Sequence, residues 1–587
     1  MRVAKGLEPA DAIIINVNLV EVNTGSILEG VSILIKGRRI AGVLRTADVS
    51  KYRGSSTLVI NGKGFYAMPG FIDLHVHIES SMLDPIGFSK LALLHGTTTI
   101  VADPHEVVNV LGLRGFEVFA EAAKKTPLKI LLELPSCVPP VDPKLGLETP
   151  ASKFDVEDME KALHYDNVVG LGEVMDFISV VNGELGIHEK IKFVDERGLI
   201  IDGHAPLLST EDLNAYISAG IESDHETTNL EEAYEKAWRG MYLFIREGSA
   251  WMDLEALIDI VKKTDCKLCA FVSDDVGVVD LYEKGHMDRI INKAISLGLD
   301  PVKAIQLATI NPAIRLHLEK HIGIIAPGRL GDIVLSRRID VVKPITVLAN
   351  GEVTVYNGSL VKEIGDRSYP AEALSTVKLN LDFIEKMEVA PRVSSEHGSR
   401  VRVNTIEVKP GSALTKHVVE ELDVRNGRIL PDLSKDIIYV GVVYRHSNTG
   451  EYSVGFLKGL SFKPGGIAQT VAHDTHNIIF AGWREKDIKL AIKRVYELQG
   501  GIVVVDNGKI ISEVELKLAG LMSIKEPDVV YREYKELIEK AREYGAEFEP
   551  VFMTLSLVSL PVIPELRITS KGLVEVMSGK VIPLVVE

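Results

Sequence analysis

Met68-Pro69-Gly70-Phe71-Ile72-Asp73-Leu74-His75-Val76-His77 is an apolar run that closes on two histidines spaced i, i+2. On a β-strand, residues two apart leave the same face, so His75 and His77 share one side of a strand end. Two neutral imidazoles placed in this way are able to hold one metal ion, and Pro69-Gly70 marks where the strand begins. A His-x-His pair also arises by chance in many proteins that bind no metal. Its meaning is decided by whether other strands end in residues of the same chemistry.

From residue 70 to residue 325, apolar strand-like runs alternate with helical stretches, the pattern of a parallel sheet with crossover helices. The segment has roughly the 250 residues of a (β/α)8 barrel. Eight strands are predicted, at 70–77, 96–103, 128–136, 168–174, 198–204, 219–225, 239–246 and 267–274. Barrel active sites lie at the carboxyl ends of such strands. The fourth run ends Val169-Gly170-Leu171-Gly172-Glu173, the fifth Ile200-Ile201-Asp202-Gly203-His204, the sixth Glu222-Ser223-Asp224-His225 and the eighth Phe271-Val272-Ser273-Asp274-Asp275. Any one of these side chains alone has an ordinary structural reading. Together, His75, His77, Glu173, His204, His225 and Asp274 predict a metal site. Mixed imidazole and carboxylate donors suit Zn(II), Fe(II) or Mn(II).

The flanks read differently. Ala12-Ile13-Ile14-Ile15, Val31-Ser32-Ile33-Leu34-Ile35 and Ile40-Ala41-Gly42-Val43 are short strands, with Lys36-Gly37-Arg38-Arg39 as a hairpin connection. The idiom returns at Gly328–Leu335 and Ile345–Gly351, which predicts one small β-sandwich domain built from residues 1–69 and 326–375 with the barrel inserted. Residues 376–587 mix strands such as Ile437–Tyr444 and Gly501–Val505 with helices at 485–498 and 526–544, a C-terminal α/β domain.

A chain of 587 residues exceeds one compact core. Its net charge of -16 argues against a general phosphate-backbone binder, so no nucleic-acid partner is expected. No apolar run approaches the ~20 residues of a membrane helix. The amino-terminal stretch lacks a signal-peptide pattern, which makes the cytoplasm the expected compartment. Cys137, Cys266 and Cys269 are too few and too odd in number for a disulfide framework.

With these residues in view, the chain resembles the adenine deaminase family of the amidohydrolase superfamily along essentially its whole length. The marks are His77-Ile78-Glu79-Ser80-Ser81-Met82, Asp103-Pro104-His105-Glu106, Gly172-Glu173-Val174-Met175, Ser273-Asp274-Asp275 and Ala472-His473-Asp474-Thr475-His476-Asn477. Where many superfamily members carry a carboxylated lysine as the bridging ligand, this chain has Glu173. The resemblance implies a binuclear divalent centre, Mn(II) or Fe(II) with Zn(II) as an alternative. It implies hydrolysis of adenine to hypoxanthine and ammonia by a metal-activated hydroxide attacking C6, and a homo-oligomer, a dimer. Asp274 touches metal and water and is the expected proton shuttle.

Charge developing on the purine calls for ring protonation, and His105 and Glu106, just past the second strand, are the candidates. Their bland reading is a helix-start glutamate beside an ordinary loop histidine. Arg246, Glu247 and Ser273 are candidate substrate contacts. His473, Asp474 and His476 have two readings, a second site closing over the barrel or a satisfied turn network. His77-Ile78-Glu79 with Cys266-x-x-Cys269 superficially matches another zinc deaminase signature, but Asp265 stands where that signature needs proline. Two rival functions remain: the same metal chemistry on an N-acyl compound or a different cyclic amide or amidine, and a binding protein with a structural metal. A structural site needs no proton shuttle, so Asp274 speaks against the latter.

Overall fold

The structure, a computed structural model, describes residues 1–265, 267–394, 399–409, 412–546 and 551–586. Cys266, half of the cysteine pair set aside above, lies outside them.

Eight parallel strands form the central ring: β1 (Phe71–Val76), β2 (Thr97–Ala102), β3 (Lys129–Leu134), β4 (Val168–Val174), β5 (Ile200–Gly203), β6 (Ser223–Asp224), β7 (Tyr242–Arg246) and β8 (Cys269–Val272). β1 to β5 pair in order, as do β6 to β8. The two arcs meet on backbone bonds. The Asp274 amide donates to the His75 carbonyl (2.9 Å) and the His77 amide to the Asp274 carbonyl (3.2 Å), which joins β8 to β1. The Glu222 amide donates to the Ile201 carbonyl (3.0 Å), which joins β5 to the approach of β6.

Every residue of β1 and β2 is buried, as expected for parallel strands covered on both faces. That condition explains why the opening run is almost continuously apolar. Its one interior charge, Asp73, is satisfied: it accepts from the Ser273 amide (3.1 Å) and hydroxyl (2.5 Å), and His286 Nε2 lies 3.1 Å away. Gly70 is required by close packing, because a Cβ there would stand 2.2 Å from Thr98 Oγ1.

The expected β-sandwich takes the form of one continuous nine-stranded sheet that draws strands from both sides of the barrel. Tyr66–Pro69, which leads into β1, pairs antiparallel with Ile333–Ser336, which follows the barrel. The sheet branches at Ala12–Glu21, which pairs with Ser26–Lys36 on one edge and with both Leu58–Asn61 and Tyr66–Pro69 on the other.

The C-terminal segment contains a second nine-stranded sheet, with helix Glu485–Leu498 packed against it, and a three-stranded sheet over Leu566–Ile582. It docks directly on the barrel. One apolar cluster runs from Leu83, Ile86 and Phe88 through Leu521 and Met522. The Ser523 amide donates to the Met82 carbonyl (2.8 Å), and Tyr282 stacks on Tyr531 with centroids 4.2 Å apart. The long connection after β3 is held between the two units: Thr149 Oγ1 donates to Glu451 (2.6 Å) and Thr569 Oγ1 to the Leu147 carbonyl (2.5 Å). On that connection Glu148 is buried beside Thr475 and Asp474. Burial and the charge of Asp474 push its carboxyl up to about 8.

Candidate metal centre

Parallel strand order brings the carboxyl ends of β1, β4, β5, β6 and β8 to one mouth. His75 and His77 leave β1 with ring centroids 4.8 Å apart, and His75 stacks on His225 at 4.1 Å. Glu173, one residue before the end of β4, takes imidazoles on both oxygens. Its Oε1 lies 3.3 Å from His77 Nε2, and its Oε2 lies 2.6 Å from His204 Nδ1 and 3.2 Å from His225 Nε2. The preceding Gly172 packs against Asp103, whose Oδ2 would sit 2.2 Å from a Cβ.

Asp274 completes the ring of donors from β8, its Oδ1 3.3 Å from His77 Nε2 and 3.6 Å from His75 Nε2. Its backbone is left-handed (φ 55), a conformation that Asp tolerates better than most residues. The turn lets its amide and carbonyl bond β1 while the carboxylate faces the histidines. Burial opposes the ionised form, yet the hydrogen bond from His77 and the charge of Arg246 hold Asp274 well below the usual carboxylate range.

The donor set passes a test of fit for a metal. Both ring nitrogens of the fully buried His75, and Nδ1 of His225, have no hydrogen-bond partner among the described residues. Orphaned buried nitrogens are costly, and a cation between them and the carboxylates would remove that penalty. Burial and the neighbouring His225 and His77 rings hold His75 well below the usual histidine range, in the neutral form a metal requires. His77 is oriented from behind: its Nδ1 donates to the Asp103 carbonyl (3.1 Å), which turns Nε2 to the site.

The description "Amidohydrolase family" matches residues 66–356, and "Adenine deaminase C-terminal domain" matches residues 412–580. The adenine deaminase of Staphylothermus marinus is 57% identical over 583 residues, covering 99% of this chain and 96% of that one. The adenine deaminase of Dehalococcoides mccartyi is 38% identical over 586 residues, covering 99% and 98%. The chain belongs to the adenine deaminase family. A solved adenosine deaminase from Xanthomonas campestris with bound zinc is similar at a TM-score of 0.46 and 14% identity, covering 61% of this chain and 95% of that one.

The other candidate residues fall into two groups, those at the mouth of the barrel and those bonded elsewhere. His105 and Glu106 open the helix His105–Leu111 directly after β2. His105 Nδ1 lies 3.7 Å from Glu173 Oε1, and its Nε2 lies 3.6 Å from Glu106 Oε1. Glu79 fixes the start of this helix by accepting from the Val107 amide (3.1 Å). Arg246 comes to the centre, donating to Asp274 Oδ2 (3.0 Å), to Asp253 Oδ2 (2.9 Å) and to Glu226. Glu247 and Ser273 are bonded elsewhere, Glu247 to Lys293 Nζ (2.6 Å) and Ser273 to Asp73. Successive residues at a strand end alternate in direction, which separates Glu247 from Arg246.

His473 and His476 reach the same mouth from the C-terminal segment and bond Glu106. His476 also accepts from the Ala472 amide (3.2 Å), so these side chains combine a local turn bond with contacts across to the barrel. Glu226 and Asp253 were not singled out by sequence reasoning. Glu226 directly follows the ligand candidate His225, a position that would have justified including it; Asp253 carries no such signal.

Proposed function

We propose that the chain hydrolyses adenine to hypoxanthine and ammonia at a binuclear divalent centre held by His75, His77, Glu173, His204, His225 and Asp274. It is a hydrolase acting on carbon–nitrogen bonds, as its amidohydrolase segment and full-length adenine deaminase relatives support. The observation that carries the binuclear reading is the Glu173 carboxylate, with His77 at one oxygen and His204 and His225 at the other. A carboxylate flanked on both oxygens in this way is suited to be shared by two ions. Mn(II) or Fe(II) is the proposed pair, and Zn(II) is compatible with the same donors. When bound, the metal supplies Lewis-acid activation of water near neutral pH.

The chain's own residues do the rest. Arg246 orients the Asp274 carboxylate by donating to Oδ2, and that carboxylate accepts a proton and returns it to the departing amine. His105 and Glu106 stand beside the centre and handle the proton of the purine ring. Of the candidate substrate contacts, Arg246 lies at the centre and keeps that role, whereas Glu247 and Ser273 are engaged by Lys293 and Asp73 and are not proposed to touch the purine. His75, His77, Glu173, His225 and Asp274 are all buried, whereas the His204 side chain is 24% exposed.

The working enzyme is proposed to be a homodimer in the cytoplasm; light scattering of the metal-loaded protein tests the first point. Among the described residues, no helix is long and apolar enough to cross a membrane. For the activity, metal-loaded protein is incubated with adenine, and separately with a panel of N-acyl and cyclic amide compounds. Stoichiometric hypoxanthine and ammonia are expected. Turnover of a panel member with none on adenine would refute the substrate assignment and leave the metal chemistry standing.

A further inference from the structure

The C-terminal segment contributes two side chains to the mouth of the barrel, and both meet one carboxylate. Glu106 is buried, with Oε1 2.8 Å from His473 Nδ1 and Oε2 in direct hydrogen-bond contact with His476 Nε2. The two histidines are buried as well, and their rings are 5.3 Å apart.

The tautomer of His476 follows from its other nitrogen. Its Nδ1 accepts from the Ala472 amide (3.2 Å), which leaves the proton on Nε2, facing Glu106. The loop is itself locked. Arg445, fully buried, donates to the His476 carbonyl, to Thr376 Oγ1 (2.8 Å) and to the Ala519 carbonyl (2.9 Å). His446 Nε2 donates to the Thr475 carbonyl (2.7 Å). Arg445 has no carboxylate partner among these bonds; its donors are spent on loop backbone and a hydroxyl. Burial pushes His476 down to about 3, whereas Glu106 and Asp474 outweigh burial and hold His473 up to about 10. One neutral donor and one cationic donor therefore fix the two oxygens of a single carboxylate.

We propose that His473 and His476 are positioning residues, which hold the Glu106 carboxylate at the barrel mouth and make the C-terminal domain part of the active site. The inference rests on the reading that Glu106 handles a proton of the purine ring. Direct bonding of both oxygens to imidazole, with the tautomer of His476 set from behind, favours positioning over a further metal site at the same three residues.

The test uses full-length, metal-loaded protein. Glu106→Gln is expected to lower kcat by about 10²–10⁴-fold, the range for a positioned acid–base group. His473→Ala and His476→Ala are each expected to lower kcat by about 10–100-fold, the range for groups that orient a functional side chain. Neither should add to the loss in a double variant with Glu106→Gln. Conservative replacements give the sharper readout, because Gln presents its amide near the Nε2 position of His and Asn near the Nδ1 position. His476→Gln should exceed His476→Asn in kcat, and His473→Asn should exceed His473→Gln, with metal content equal in all four. These replacements also serve if the alanine variants fail to fold.

Parental kcat in Glu106→Gln would remove the role given to Glu106. A large loss in Glu106→Gln, with parental kcat in both alanine variants, would overturn the positioning inference alone. Loss of a metal equivalent in either histidine variant would also overturn it, by making these residues ligands.

Discussion

Glu148→Gln is expected to stabilise the protein, and by an amount that grows with pH. Glu148 is 5% exposed on the connection after β3, faces Asp474, and has its carboxyl raised from 4.5 to about 8. Between those values the folded protein keeps a proton that the unfolded chain has released, so the stability contributed by Glu148 falls as pH rises through the window. Each pH unit is worth about 1.4 kcal/mol, which puts the parent's disadvantage under about 1 kcal/mol at pH 5, about 3 at pH 7 and about 4 at pH 8. Solvent entry around a loop carboxyl trims these figures, leaving about 1–3 kcal/mol at pH 7. Glutamine keeps the shape and never ionises, so the variant gains the amount the parent loses. Thermal midpoints of both proteins, scanned at one fixed rate from pH 5 to pH 8, should diverge by several degrees at most, with the variant higher. A difference that stays flat across that range, or a variant less stable at pH 8, would show that Glu148 is ionised in the folded protein.

Other expectations follow from the donor ring and the barrel interior. Glu173→Gln keeps the shape of the bridging side chain but removes its charge between His77, His204 and His225. Metal content by mass spectrometry should fall by at least one equivalent, and kcat by more than about 100-fold, the upper range for groups that only support ligands. Asp274→Asn should lose about 10²–10⁴-fold in kcat, and parental activity in this variant would refute its role as proton carrier. Arg315 is buried with Asp202 at 2.6 Å and Glu222 at 2.7 Å, so Arg315→Met should destabilise by about 3–5 kcal/mol, read from unfolding midpoints. An Arg315→Met protein as stable as the parent would show that Asp202 finds another partner.

The barrel was legible because its strands follow one rule. All eight predicted runs contain an observed strand, from Phe71–Val76 inside 70–77 to Cys269–Val272 inside 267–274. Parallel strands covered on both faces must be apolar, and their polar residues then stand out at the ends. The sixth strand spans only Ser223–Asp224, yet His225 stands out in the sequence because its position at the end of the run matters more than the length of the strand. The contacts of the C-terminal segment were not legible in the same way. Glu106 and His476 lie 370 residues apart, and no periodicity links them. The helix-start position of Glu106 also gave it an ordinary explanation. Only docking of the two units, through an apolar surface shared from Phe88 to Met522, reveals that the carboxylate is held from across the interface.

The pairing of Tyr66–Pro69 with Ile333–Ser336 has a consequence for how the protein is made. During synthesis the first strand emerges with one edge covered by Ala12–Glu21 and the other bare, since its second neighbour is encoded after the whole barrel. At about 5–20 residues per second, the roughly 260 intervening residues leave that edge unpaired for tens of seconds. An open strand edge is a template for pairing with another chain, so a nascent polypeptide stalled within the barrel is the species most exposed to aggregation. Completion of the barrel delivers the missing strand and closes the edge.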